Sequence, residues 1–207
     1  MPPIFPETVL RTDRLLLRPF TAEDVEDTRA ACSDELTQQW LPLPRPYSTE
    51  HAASWCTDVS HRLRTSGDGV HFAITDLGSG RLLGTVGLKK TDWPARVSEV
   101  GYWSAPWARG RGVMTEATRT LGEWLLGEQG FQRLQLFAAT GNTASRRVAE
   151  KAGFHKEGVL RNAGHVHDGR VDLVVFSLVP DDLAGSREAE PEPLGIPVTD
   201  AERGGAR

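Results

Sequence analysis

The stretch WARGRGVMTEA, residues 107 to 117, constrains the chain more than any other: Arg109, Gly110, Arg111 and Gly112 follow one another, and a helical pattern begins at once. Glycine reaches backbone conformations that other residues avoid, and a helix N-terminus presents unpaired N–H groups carrying about half a unit of positive charge. A glycine-rich approach to such a terminus lets a pyrophosphate lie against those donors, with Arg109 and Arg111 adding charge. The Gly-Lys-Ser/Thr ending of a triphosphate-binding loop is missing, and Gly-x-Gly-x-x-Gly is not completed, so nucleoside triphosphates and dinucleotides are disfavoured. Taken alone, a merely tight strand-to-helix connection explains the segment as well.

The flanking patterns place this turn inside a mixed fold. RLLLRPF (14–20) reads as a strand closed by Pro19, and Thr21 with Asp24 has the spacing of a capping box. LPLPRPY (41–47) must be an extended loop, after which Ser48 caps a helix whose Ala52, Cys56, Val59 and Leu63 follow helical spacing to SGDG. VHFAIT (70–75), LLGTVGLKK (82–90) and VSEVGYWS (97–104) predict an antiparallel meander. A helix over 113–128, a strand at RLQLFAA (133–139), a helix over 142–153 stopped by Gly153, and strands at FHKEGVL and VDLVVFSLV complete the series. Strand, helix, strand, helix, strand is a β/α pattern grafted onto a meander. One domain over residues 8–183 is expected, with a disordered tail over 184–207 that is rich in Gly, Pro and charge.

Charge names no partner. A formal net charge of −4 provides no global attraction to nucleic acid or to an anionic membrane surface, so neither is expected. No apolar run approaches the roughly 20 residues of a membrane-spanning helix. Cys32 and Cys56 lack metal-ligand spacing, and the N-terminus lacks a basic start followed by an apolar run, so a reduced, cytoplasmic protein is expected.

RTDRLLLRPF, EVGYW, ARGRGVMTEA, NTASRRVAEKAGFHKEGVLR and DGRVDLVVFSL occur in the order found in Rim-type acetyltransferases of the GNAT superfamily, and the chain resembles that branch over residues 8 to 183. The resemblance implies an α+β fold, a GNAT-type twisted mixed sheet of about seven strands flanked by about four helices. It implies acetyl-CoA as cosubstrate, held by Val100, Tyr102, Arg109, Gly110, Arg111, Gly112, Val113, Met114, Thr115, Asn142, Ser145 and Arg147. The match departs from the pattern at Met114, where Gly or Ala is usual, and at Ala149, where many members carry a tyrosine that serves the thiolate.

Moving an acetyl group from a thioester to an amine requires a neutral amine, a polarised carbonyl and a proton for the departing thiolate. The resemblance assigns Glu99 as the base that relieves the amine of its proton; the alternative is an ion-pair partner on a strand. With tyrosine absent at Ala149, Ser145 is the candidate donor to the sulfur, and Asn142 the helix cap beside it. His165 and His167, two apart before a turn, share a face but lack a third metal ligand and read as exposed hairpin residues. Trp40 beside the proline loop is a candidate to stack on an acceptor, and a pocket around His71, Phe72 and Trp103 is a candidate to admit a longer acyl chain.

Two functions are carried forward. One is an acetyl-CoA-dependent N-acyltransferase, acting as monomer or homodimer on a primary amine, either a peptide N-terminus or a small molecule such as a drug or toxin. The other is a non-catalytic CoA-binding sensor. In either case the cofactor is expected to enter where the SEVGYWS and RLQLFAA strands part, with its amides replacing the missing strand contacts.

Overall fold

The computed structural model describes residues 3–185; the expected tail from residue 186 onward lies outside the described residues. In chain order the elements are β1 (Leu10–Arg11), β2 (Leu15–Arg18), α1 (Val25–Cys32), α2 (Glu35–Trp40), α3 (Thr49–Ser54), α4 (Ser60–Ser66), β3 (Val70–Asp76), β4 (Leu82–Asp92) and β5 (Val97–Ser104). There follow α5 (Val113–Glu123), β6 (Arg133–Ala139), α6 (Thr143–Lys151), β7 (His155–Val166), β8 (Gly169–Leu178) and α7 (Pro180–Gly185). The strands form one eight-stranded sheet in the order β1-β2-β3-β4-β5-β6-β8-β7. Its one strand beyond the expected seven is β1, whose two residues are too few to show alternation. α3 and α4 are joined through a π turn at Trp55–Val59 into the single rod expected after Ser48, which ends at Gly67 in the left-handed conformation, φ 81°. With that rod counted once, α1, α5 and α6 make up the expected four helices; α2 and α7, of 6 residues each, are additions.

Strand alternation divides the core between the two faces of the sheet. On one face Val86, Leu88, Val100, Leu134 and Leu136 pack beneath α5 and the π turn that continues it over Trp124–Glu128; Leu121 of the helix and Leu125 of that turn are fully buried. Burying each of those leucines contributes about 1.5–3 kcal/mol. Phe5 joins this face, stacked at 5.7 Å on Phe131 and 4.7 Å from Trp93. The opposite face carries a smaller cluster of Phe20, Cys56, Ala73 and Leu82, covered by α1 and the α3–α4 rod, with Trp55 and Trp103 at its margin. Phe72 points into the α5 core and meets Trp124 edge-on at 6.0 Å, while its neighbour His71 meets Trp55 at 4.9 Å on the other face. The His71 and Phe72 rings, expected to line one pocket with Trp103, thus leave β3 on opposite faces of the sheet.

Every strand pair is antiparallel except β5 with β6, which is parallel. That pair is joined only from Val97↔Arg133 to Val100↔Leu136. β4 stays paired to β5 as far as Gly84↔Ser104, and β8 to β6 as far as Ala139↔Leu173. The sheet is thus intact on both sides of an opening that begins after Val100.

Candidate active site

The opening gives Gly101–Ser104 of β5 one hydrogen-bonded side, toward β4, and leaves the side toward β6 without a strand partner. These residues are half-buried, and an extended molecule with amides of its own would satisfy the backbone groups that the parting leaves without a strand partner. The turn of residues 109–112 lies just beyond the end of β5, and α5 starts at its far side.

That turn has the shape of an anion cradle. Gly110 and Gly112 both hold φ at 73°, and a Cβ built on Gly110 would meet nothing within 4 Å, so the surface over it is open. Gly112 is the N-cap, and its carbonyl accepts the first helical bond, from Glu116 N–H at 3.1 Å. The N–H groups of Val113, Met114 and Thr115 thus stand at the free end of α5. Arg14 braces the turn: its Nη1 donates to the Arg111 carbonyl at 3.0 Å and its Nε to Glu116 at 2.6 Å. Val113 and Met114 send their side chains into the core. Met114 lies against Gly84, with Cε 3.1 Å from a Cβ built there, so its bulk is turned away from the cradle.

Arg109 is placed differently from Arg111. Its guanidinium pairs with Asp34, the N-cap of α2, and donates to Thr37 Oγ1 at 3.0 Å. The guanidinium in turn holds the Asp34 carboxyl below its ordinary range. Trp40, at the other end of α2, sits over Gly141, where a Cβ would come within 3.2 Å of its ring. α2 therefore links the turn of residues 109–112 to the β6–α6 connection. Arg111 and Arg147 are exposed.

Glu99 and Tyr102 leave β5 on opposite faces. Glu99 is 8% exposed, and both its oxygens are engaged: Lys89 Nζ at 2.8 Å on Oε1 and Lys90 Nζ at 2.9 Å on Oε2. Consecutive strand residues cannot normally reach one target. Here the register shifts between Lys89 and Asp92, and Lys90 takes a left-handed φ of 51°, which turns both lysines to the same carboxylate. Two glycines in cross-strand register, Gly87 and Gly101, leave room above the sheet beside it. The His71 imidazole lies over Gly87, with Nδ1 2.2 Å from where a Cβ would stand, and the Lys89 ammonium lies 3.6 Å from that of Gly101. Burial, with the Lys89 charge adding to it, pushes His71 down to about 4.

On the α6 side the Tyr102 hydroxyl is 3.0 Å from Ser145 Oγ and 3.1 Å from the Ser145 carbonyl. Asn142 caps α6, its Oδ1 accepting from Ser145 N–H at 3.0 Å. Ala149, one turn further along, is fully buried. Of the residues singled out in the sequence, Glu99, Tyr102, Asn142 and Ser145 thus flank the opening, while Arg109 faces α2, Arg111 and Arg147 face solvent, and Val113 and Met114 point into the core. His165 is exposed, and His167 Nε2 is 2.9 Å from the Leu43 carbonyl, tying the hairpin tip to the proline loop. Among the described residues no group of three His, Cys, Asp or Glu is arranged to hold a metal. Sequence reasoning missed Asp34, Lys89 and Lys90; Asp34 carried a readable cap signal toward Thr37, but its partner Arg109 is 75 residues away.

Comparison with known proteins gives the chain a family. YdaF of Bacillus subtilis (strain 168) is 36% identical over 108 residues, which are 52% of this chain and 59% of that protein. The uncharacterized N-acetyltransferase YoaA of the same organism is 30% identical over 171 residues, 83% of this chain and 96% of its own. The structure of Mycobacterium smegmatis RimJ in complex with CoA-disulfide superimposes with a TM-score of 0.74 at 21% identity, over 85% of this chain and 88% of that one, a likeness of fold. Residues 14–155 match the family described as Acetyltransferase (GNAT) domain, and the chain belongs to that family.

Proposed function

We propose that this GNAT protein transfers an acetyl group from acetyl-CoA to the primary amine of a peptide N-terminus, in the manner of the Rim-type enzymes. The observation that carries the reading is the parting of β5 from β6 between a carboxylate on one face, Glu99, and a hydroxyl pair on the other, Tyr102 with Ser145. Acetyl-CoA supplies a thioester. The open turn at Gly110 and the free N–H groups of α5 suit its pyrophosphate, and the unpaired side of Gly101–Ser104 suits its amide-bearing arm.

The two sides of the opening divide the proton traffic. An α-amino group has a pKa of about 8, so much of it carries a proton at neutral pH. Glu99 takes that proton on the helix α3–α4 face; each of its oxygens keeps a lone pair beyond the one given to a lysine. Lys89 and Lys90 hold the carboxylate in place and keep the surroundings unfavourable to a third cation, which favours the amine in its neutral, nucleophilic form. Ser145 donates to the sulfur from the α6 face as charge develops there. The acceptor approaches on the face bearing His71, Gly87 and Gly101, near α2 and the hairpin tip. Support for a peptide acceptor comes from the Rim-type motifs and from similarity to the ribosomal-protein-serine acetyltransferase of Escherichia coli (strain K12), 24% identical over 100 residues. A cytoplasmic monomer or homodimer fits this reading, and no helix of the described residues is long and apolar enough to cross a membrane.

The test is mass spectrometry of N-terminal peptides and polyamines incubated with the protein and several acyl-CoAs. Acetyl should appear on peptide α-amino groups. Cofactor binding without transfer to any amine would favour the sensor instead, and transfer only to small amines would move the acceptor to that class.

A further inference from the structure

Tyr102 stands beyond the last β5–β6 pairing, and its hydroxyl crosses to the first turn of α6. There every polar group of Ser145 has a partner. The N–H donates to Asn142 Oδ1, and both the carbonyl and Oγ lie within hydrogen-bond distance of the Tyr102 hydroxyl. A phenol has one proton to give. A carbonyl can only accept, so while Tyr102 donates to it, the Ser145 hydroxyl must donate to the Tyr102 oxygen. In that arrangement the serine proton is held by the tyrosine and is not free to meet a sulfur.

We propose that Tyr102 is the positioning residue that switches Ser145 between a resting and a donating state. In the donating state the Ser145 O–H turns to the sulfur, and the Tyr102 O–H leaves the Ser145 carbonyl for the Ser145 oxygen. No covalent bond forms or breaks in this exchange; the two O–H···O bonds of the resting state give way to one O–H···O bond, from Tyr102 to Ser145, and one O–H···S bond, from Ser145 to the sulfur. The two hydroxyls then point in series, and each polarises the next, so the serine becomes a stronger donor than it would be alone. The phenol suits the part because burial, only partly offset by its bond to Ser145, pushes it up to about 12, and it keeps its proton throughout neutral pH. Carrying no charge, it adds no cation or anion to a gap between strands.

This inference rests on Ser145 being the donor to the sulfur, and the experiment separates the two. Thiol release from acetyl-CoA is measured for Ser145→Ala, Tyr102→Phe and the double variant. Ser145→Ala alone tests the serine; if it keeps full kcat, both the serine's role and the tyrosine's fall, while acetyl transfer by the unaltered protein stands. With the serine upheld, Tyr102→Phe should lower kcat about tenfold and leave KM for acetyl-CoA within about twofold. The double variant should be no slower than Ser145→Ala, because the tyrosine acts only through the serine. Full kcat in Tyr102→Phe, or losses that multiply in the double variant, would overturn the proposal.

A second measurement keeps Tyr102 in place and reads it directly. The chain has 2 tyrosines, Tyr47 and Tyr102, so incorporating 3-fluorotyrosine gives two fluorine resonances, assigned by Tyr47→Phe. Coenzyme A should shift the Tyr102 resonance, and the shift should be lost in Ser145→Ala. A Tyr102 resonance that ignores coenzyme A would contradict the switch.

Discussion

Glu99 is held by two ammonium groups, and the role proposed for it depends on a third, that of the acceptor. Glu99→Gln should lower kcat by about 10² to 10⁴ while acetyl-CoA affinity is kept, and the loss should shrink as pH rises and more amine is neutral without help. A pH profile of kcat for both proteins reads this directly, and equal turnover across neutral pH would remove the carboxylate from the reaction. His71 gives a second prediction, of stability. Its folded value of about 4 lies below the ordinary 6.5, so the unfolded chain takes up a proton first as pH falls. Stability is therefore lost between about pH 6.5 and 4, by about 2 kcal/mol from pH 7 to pH 5. Urea unfolding at those two values should show that loss, and His71→Gln should be spared it. At this scale Glu99 was legible through the motif around it. Its lysines were not, because Lys90 reaches it only through a register shift and a left-handed backbone that alternation does not announce.

At the scale of elements, α5 and the turn before it form the part whose form follows most directly from composition. Gly110 and Gly112 sit at φ 73°, where a side chain costs about 1–2 kcal/mol. Gly110→Val meets open space and Gly112→Val meets only the end of Arg14, so both variants should fold. Both should weaken acetyl-CoA binding by at least about tenfold, by covering the N–H groups of the helix terminus. Calorimetric titration measures this, and unchanged affinity in both would count against the cradle. Arg109→Ala should weaken binding less, since the guanidinium is shared with Asp34 and the backbone donors remain. The helices and the meander were readable because their periodicities of 3.6 and 2 are local. The bridge from Arg109 to α2 was not, since a pairing across 75 residues leaves no periodic trace. Nor did the pattern show the π turn at Trp55–Val59, beyond which Ser60 is buried while Val59, expected on the apolar face, is only partly so.

For the whole molecule, one departure from an otherwise continuous sheet gives the function its place. Seven of the eight strands could be found one at a time from alternation and turn residues, but their order, and the point at which β5 leaves β6, depend on long-range pairing. The expectation that these two strands part came from the family resemblance, and the register ending at Val100↔Leu136 agrees with it. If acetyl-CoA fills the gap as a substitute strand, it must take hydrogen bonds from β5 beyond that point. Amide hydrogen exchange resolved at Gly101–Ser104, with and without coenzyme A, tests this most directly. Binding should slow exchange within that segment and at Val113–Thr115, while Val97–Val100, already paired to β6, should change little. Binding that leaves Gly101–Ser104 unprotected and slows exchange elsewhere would place the cofactor outside the opening and contradict the account.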